Sequence, residues 1–378
     1  MISLILGYLI IQIISIFFAI KLKKNIGSTF VITVLSIIVT LYLFGLLNIL
    51  PIGVYFIELT SLGMLIYECR YFYKHKDKLR STIFNKENTI FTLIFIGLSV
   101  IHEGRMISSW DEFSHWGDVV KAMFTIDDFA TSSKSMSQFQ SYPPAMSLFQ
   151  YFLMKLGNKY IEGHMFIAAQ LFFVSLIMPF VSKNKKVIDA LITAVILLFV
   201  PSLIFNNFYT TIFIDCILGL VFGYILLSII VNEYDKHQII NLILSIFTLV
   251  LLKDVGIFLS LIAIAMIIVD LIFVKKKIKF KRNFYEKNKK YIWLVAGGIA
   301  AIAIAKATWN FDININAARI SFGNEITFRD ILNFITRQNL GYRGIVIGNF
   351  IRNLYTENII SSIVNFNTIY IICQNFLL

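Results

Sequence analysis

Residues 110–117 read Trp110-Asp111-Glu112-Phe113-Ser114-His115-Trp116-Gly117 and follow closely on an apolar stretch near 88–104. Two carboxylates and an imidazole therefore stand at the lip of a segment with the composition of a membrane span. Ionisable groups at such a position are costly, so they carry a functional hypothesis by default. Charge is scarce elsewhere: the 378 residues are 58% hydrophobic and 15% charged, with a mean hydropathy of +0.77. Soluble domains hold roughly half apolar and about a quarter charged residues. The composition excludes that class and predicts an all-α, polytopic integral membrane protein.

A transmembrane helix needs about 20 mostly apolar residues, and by that measure the chain offers roughly eleven spans. They lie near 2–20, 28–50, 53–70, 88–104, 162–181, 187–205, 209–231, 238–252, 254–274, 291–308 and 357–377. The first lacks a basic leading region and a small-residue cleavage site, so it reads as a retained helix. Three parts follow: N-terminal helices at 1–87, a core at 88–308 with an outer acidic loop at 105–161, and a second outer loop with a terminal helix at 309–378.

Basic residues orient these spans. Alternate connections carry Lys21, Lys23 and Lys24, then Arg70 through Lys86, Lys183 to Lys186, Lys236, and Lys275 through Lys290. Together they hold 22 of the 34 Lys and Arg, and the positive-inside rule makes their side cytoplasmic. The acidic loop is then extracytoplasmic, in a multi-pass protein of the cell membrane. A net charge of +12 invites a nucleic-acid reading, but the cations sit between spans rather than along one surface, so no nucleic-acid partner is expected. The lipid bilayer is the expected partner, with the run from Lys275 to Lys290 as a headgroup anchor. Cys69, Cys216 and Cys373 lie far apart without metal-ligand spacing and read as small lipid-buried side chains.

The acidic loop has internal organisation. Glu103, Asp111, Glu112, Asp118, Asp127 and Asp128 outnumber Arg105 and Lys121. Thr131 to Ser141, rich in Ser, Gln and Lys, reads as flexible. Tyr142-Pro143-Pro144 then fixes an extended turn, since each proline restrains itself and its predecessor. From Ala145 to Leu156 the apolar residues recur at helical spacing, with Gly157 as a stop. The segment is too short to span, which predicts a juxtamembrane helix lying flat on the outer leaflet.

An acidic pair just past a membrane helix and a Tyr-Pro-Pro turn before a juxtamembrane helix resemble the GT-C membrane glycosyltransferases. The closest likeness is to bacterial members related to the protein mannosyltransferase and aminoarabinose transferase groups. Phe208-Tyr209-Thr210-Thr211-Ile212-Phe213-Ile214-Asp215 is similar to their aromatic-rich helix start bearing a membrane acid. Leu252-Lys253-Asp254-Val255-Gly256 looks like their Lys-acid-Gly turn. The likeness covers roughly residues 90–275 and rests on short motifs. In that family the acidic pair follows the first membrane helix, whereas here three further spans precede it.

The resemblance implies transfer of a sugar from a polyprenyl-phosphate donor to an extracytoplasmic glycan, lipid or protein acceptor in cell-envelope assembly. An acceptor hydroxyl is a poor nucleophile, so a carboxylate within hydrogen-bond reach must take its proton. Asp111 is the expected base. Glu112 points elsewhere on a regular backbone and is expected to orient the acceptor or help hold a cation. The alternative is that one or both acids cap a helix or pair with Arg105. The departing phosphate needs positive charge, for which Arg105, Lys121 and Lys253 are candidates, with Arg319, Arg329, Arg337 and Arg343 in the second loop. Asp254 shares the turn of Lys253 and is expected at the substrate.

His115 falls four residues after Asp111, on the same face of a helix. With Asp118 the pair could hold a divalent metal acting as a Lewis acid, although a histidine that positions Asp111 is the simpler reading. No cofactor is otherwise expected. His102 and His164 read as interfacial residues. Asp215 falls a turn or two inside a span and must be paired or face water, with Lys253 or an outer arginine as its partner. Trp110, Trp116 and Tyr142 could stack on sugar rings, yet Trp and Tyr are enriched at every membrane interface. Two other classes stay open: a polysaccharide polymerase or ligase working through the second loop, and a lipid-linked sugar transporter or flippase. The latter should carry internal repeats and broken helices at the midplane, and no repeat is evident.

Overall fold

The computed structural model describes residues 2–205, 207–278 and 284–320, together with Asn333 and Thr336. The described residues up to Ile320 belong to one compact unit. The described residues form helices and loops, with no strand among them. The chain runs α1 (Ile2–Leu22), α2 (Ile26–Leu46), α3 (Leu50–Lys74), a short α4 (Lys76–Ile83) and α5 (Lys86–Ile101). A π-helical turn over Glu112–Trp116 leads into α6 (Gly117–Ile126), followed by α7 (Ala145–Lys155), α8 (Glu162–Val181) and α9 (Val187–Ile204). Then come α10 (Ile214–Val231), α11 (Lys236–Val250), α12 (Gly256–Val269, continued by a π-helical turn to Val274) and α13 (Phe284–Ile315).

Eight of these, α1, α2, α3, α8, α9, α10, α12 and α13, are long and apolar enough to cross a membrane. The chain is a helical membrane protein. Two expected spans fall short: 88–104 becomes the 16-residue α5, and 238–252 becomes the 15-residue α11. Both are under the roughly 20 residues of a full crossing. The expected span at 357–377 lies outside the described residues.

Local signals explain where the helices begin. Asn25 caps α2 by accepting from the Gly27 amide at 2.9 Å, and Asn85 caps α5 through the Asn88 amide at 2.8 Å. Asp235 does the same for α11 through Gln238 at 2.9 Å. Each side chain satisfies an amide the first turn leaves without a partner. Asp127 ends α6 in the left-handed conformation, at φ 57°.

The basic connections gather at one end of the bundle. There Lys24 pairs with Asp235 at 2.6 Å, Lys277 with Glu233 at 3.1 Å, and Lys183 donates to the Val231 carbonyl at 2.7 Å. The loops after α5, α9 and α11 meet at the other end, around the N-termini of α6, α7, α10 and α12.

Two expectations about the first long loop are corrected. α7 forms over the predicted residues, but it is not a ledge on a leaflet. From Ala145 to Met154 only Ser147 escapes burial, and the helix packs against α1, α2, α6 and α8. The reason is that its apolar residues encircle it rather than forming a stripe, as in any helix enclosed by protein. Lys155, at its end, holds Asp127 with both oxygens at 2.7 Å. The stretch from Thr131 to Ser141 is packed rather than flexible: Thr131, Ser132, Ser135 and Ser137 are buried, and Thr131 donates to Asp312 on α13 at 2.6 Å. Just before it, Phe129 fills the groove left by Gly45 of α2, where a Cβ would meet the ring at 2.3 Å.

The turn between α11 and α12 depends on Gly256. A Cβ there would lie 2.0 Å from the Leu249 carbonyl oxygen, a backbone atom with no free end to swing aside. Gly256→Ala is therefore expected to destabilise the fold by about 3 kcal/mol, at the upper end of overpacking costs. A lowered thermal unfolding midpoint in detergent micelles checks this.

Candidate functional site

At the end of the bundle away from the basic connections lies a small, open cleft. Its walls come from four separate stretches of chain. Trp116 and Val119 lie on the π-helical turn and α6, and Tyr142 and Pro143 on the turn before α7. Met146, Ser147 and Gln150 lie on α7, with Ile212, Ile214 and Leu252 from the loops flanking α10 and α11. Trp116 and Tyr142 meet edge to face at 4.7 Å. The cleft thus pairs aromatic walls with a few polar groups, as small-molecule sites do.

Glu112 holds this arrangement together. It is fully buried; one carboxylate oxygen accepts from the Ser108 and Ser109 amides at 2.9 and 3.0 Å, and the other from the Ile212 amide at 3.0 Å. Arg105 makes a second staple between the same segments, donating to the Thr210 carbonyl at 3.0 Å while lying over the Phe166 ring at 5.0 Å. Glu162 adds a third by accepting from the Ile107 amide at 2.8 Å. Glu112 and Arg105 were expected at the acceptor and the phosphate. The Glu112 carboxylate and one Arg105 amino group bond to backbone instead, and among the described residues no ion pair joins Glu112 to Arg105.

Asp111 differs in every respect. Its side chain is exposed, with no hydrogen bond or ion pair among the described residues, yet its charge reaches His115 and Tyr142. The Tyr142 hydroxyl is pushed up to about 12, first by burial and then by Asp215, Asp254 and Asp111. Those three acids come from three separate stretches of chain and act on Tyr142 through their charge. His115 stacks on Phe139 at 3.6 Å between ring centres and hydrogen-bonds Ser114 through Nδ1. Burial holds its pKa below the usual value, and the Lys253 charge adds to this. Asp111 and Asp118 oppose both.

Lys253 joins the acids to the aromatic wall. Its Nζ pairs with Asp215 at 2.7 Å and sits 5.7 Å from the Trp116 ring centre. Asp215 is the second residue of α10, nearer the end of its span than the expected turn or two, because Phe208–Thr210 form a separate 3₁₀ turn and the helix starts only at Ile214. A carboxylate there is favoured by the positive end of the helix dipole. Asp254 is bridged by Lys306 of α13 at 2.9 Å.

The remaining candidates scatter. Lys121 is exposed on α6 and does not line the cleft. Arg319 is exposed beyond α13, and its amide donates to Gln140 at 2.8 Å. Arg329, Arg337 and Arg343 lie outside the described residues, as does Cys373, while Cys216 is buried and Cys69 exposed. Trp110 is 80% exposed and stands away from the cleft wall. His102 and His164 are buried rather than interfacial, His102 stacking on Phe166 at 5.5 Å. Asp111, His115 and Asp118 do not close into a metal site: no group of three or more His, Cys, Asp or Glu among the described residues is placed to hold an ion. Lys306, Ser147 and Gln150 were missed. A lone lysine inside an otherwise apolar span was the available signal for Lys306.

The lowered His115 pKa has a pH signature. A histidine whose folded pKa lies below its unfolded value favours the folded state at high pH, and that contribution is lost as pH falls below 6.5 through the folded pKa. Wild-type protein is expected to lose more thermal stability than His115→Phe on acidification from pH 7 to 5. Parallel unfolding midpoints in the two proteins would count against this.

No protein-family model matches the chain, and neither does any curated protein or solved structure.

Proposed function

We propose that the protein is a membrane glycosyltransferase that moves a sugar from a polyprenyl-phosphate donor to an acceptor at the cleft. The observation carrying this reading is an aromatic wall, Trp116 and Tyr142, with the Lys253 ammonium beside Trp116 and the charge of the uncommitted Asp111 carboxylate reaching Tyr142. Asp111 takes the proton of the acceptor hydroxyl as the donor C–O bond breaks. The phosphate leaves with the electron pair and is met by Lys253, which exchanges Asp215 for a phosphate oxygen and keeps a charge-assisted hydrogen bond throughout. Trp116 and Tyr142 present ring faces and edges to the sugar, while Ser147 and Gln150 supply polar contacts. The lipid tail stays in the bilayer, so no nucleotide loop is needed. The end carrying the site is extracytoplasmic by the positive-inside rule, because the lysine-rich connections lie opposite.

Lys253→Met is expected to raise the KM for the lipid-linked donor by roughly 10–100-fold, the worth of one hydrogen bond to a charged group. Transfer kinetics in proteoliposomes with radiolabelled polyprenyl-phosphate sugar test it. An unchanged KM would remove Lys253 from the donor site.

A further inference from the structure

On α11 the residues His237, Gln238, Asn241, Ser245 and Thr248 recur at three- and four-residue spacing, which aligns them along one side of the helix. None is more than 6% exposed. On α10, which packs against α11, Tyr224 and Ser228 stand one turn apart and are also buried. The two stripes face each other: the Tyr224 hydroxyl lies against Ser228 and Asn241, and Asn232 donates to Gln238 at 3.3 Å. Within α11, Asn241 and His237 meet at 3.2 Å.

These contacts leave most of the polar capacity unused. Gln238 Nε2, Ser245 Oγ and Thr248 Oγ1 are buried without a hydrogen-bond partner, and Tyr224 Oη, Ser228 Oγ and Asn241 Oδ1 are buried with no partner beyond one another. Buried polar groups in folded proteins are almost always satisfied, and within a bilayer there is no bulk water to relieve the exceptions. A single orphan needs no common cause. Six such groups in one file, on two facing helices, share one. From His237 to Thr248 the file rises about 16 Å at the helical repeat. It starts at the basic end of the bundle and stops one turn before Leu252, which lines the cleft.

We propose that α10 and α11 hold a file of bound water reaching from the basic end of the bundle toward the wall of the cleft. Hydroxyl and amide groups donate and accept, and a buried water takes two to four such partners. A metal cation would ask for carboxylates, and an anion for ammonium or guanidinium groups. The file has neither. It gives the enclosed side of the cleft a hydrogen-bonded connection to the opposite end of the bundle.

Radiolytic hydroxyl-radical labelling of the full-length protein in lipid nanodiscs tests this without mutation, because radicals form from bound water as well as bulk. Tyr224 is expected to be oxidised at least about tenfold faster than Phe149 and Phe172, which are fully buried and pack on each other away from the file. Labelling confined to exposed aromatics such as Tyr55 and Trp110 overturns the proposal. A second measurement uses Ser245→Cys and Ala263→Cys in a background lacking Cys69, Cys216 and Cys373. Thiol-specific methanethiosulfonate reacts only with a hydrated thiolate. Reaction at residue 245 but not 263 supports the water file, and equal inertness overturns it.

Discussion

Glu112→Ala is expected to destabilise the protein by roughly 1–3 kcal/mol, the cost of leaving the buried Ile212 amide without its acceptor. Three amides share the Glu112 carboxylate, those of Ser108, Ser109 and Ile212. Two of them shape the entry to the π-helical turn, and the third ties that turn to the segment leading into α10. Losing all three therefore unfastens Asp111, His115 and Trp116 from Asp215 as well as weakening the fold. Glu112→Gln keeps the shape but offers one accepting oxygen for donors on both sides. It is expected to fall between wild type and Glu112→Ala. Thermal unfolding in detergent micelles ranks the three proteins, and equal midpoints would show that the loop is held by other contacts.

The second large effect falls on chemistry alone. Asp111→Asn is expected to lower the turnover of sugar transfer by about 10²–10⁴-fold, the usual contribution of a positioned base. Asn has nearly the same shape and Asp111 bears no structural hydrogen bond among the described residues, so stability and donor KM are expected to stay at wild-type values. A change in kcat with KM constant marks an interaction made only as the reaction proceeds. That pattern separates the two neighbours: Glu112 acts through structure and Asp111 through the reacting hydroxyl.

Much of the fold was legible because apolar length is a strong signal. Eight spans, at 2–20, 28–50, 53–70, 162–181, 187–205, 209–231, 254–274 and 291–308, reappear as qualifying helices with boundaries shifted by at most about two turns. The apolar stretches at 88–104 and 238–252 are already short for a span, and α5 and α11 form there at 16 and 15 residues; hydropathy could not show where each would stop. In both places the helix ends where the chain turns toward the cleft, at His102 and at Leu251. Nor could it show that α7 is enclosed, since a short apolar helix has the same composition on a leaflet or inside a bundle. The buried serines of residues 131–141 were misread for a related reason. Small polar side chains denote flexibility only when nothing packs on them, and here α13 does.

The site was half legible. The grouping of Trp116, Tyr142, Pro143, Asp215 and Lys253 at one end follows from placing every outer loop on the same side. Sequence could not distinguish Asp111 from Glu112, which are adjacent and chemically alike. Their difference arises from a π-helical turn that sends one carboxylate inward to three amides and leaves the other exposed. Ser147 and Gln150 were hidden because polar positions on a short helix read as its solvent face.

The central claim is that Asp111, at the aromatic cleft, is the base in sugar transfer from a lipid carrier. Its most direct test follows radiolabelled sugar from membrane lipid to envelope glycan in cells producing wild-type protein or Asp111→Asn at equal membrane levels. Lost transfer with lipid-linked sugar accumulating in the variant is the predicted result. Transfer at the wild-type rate in Asp111→Asn would contradict it.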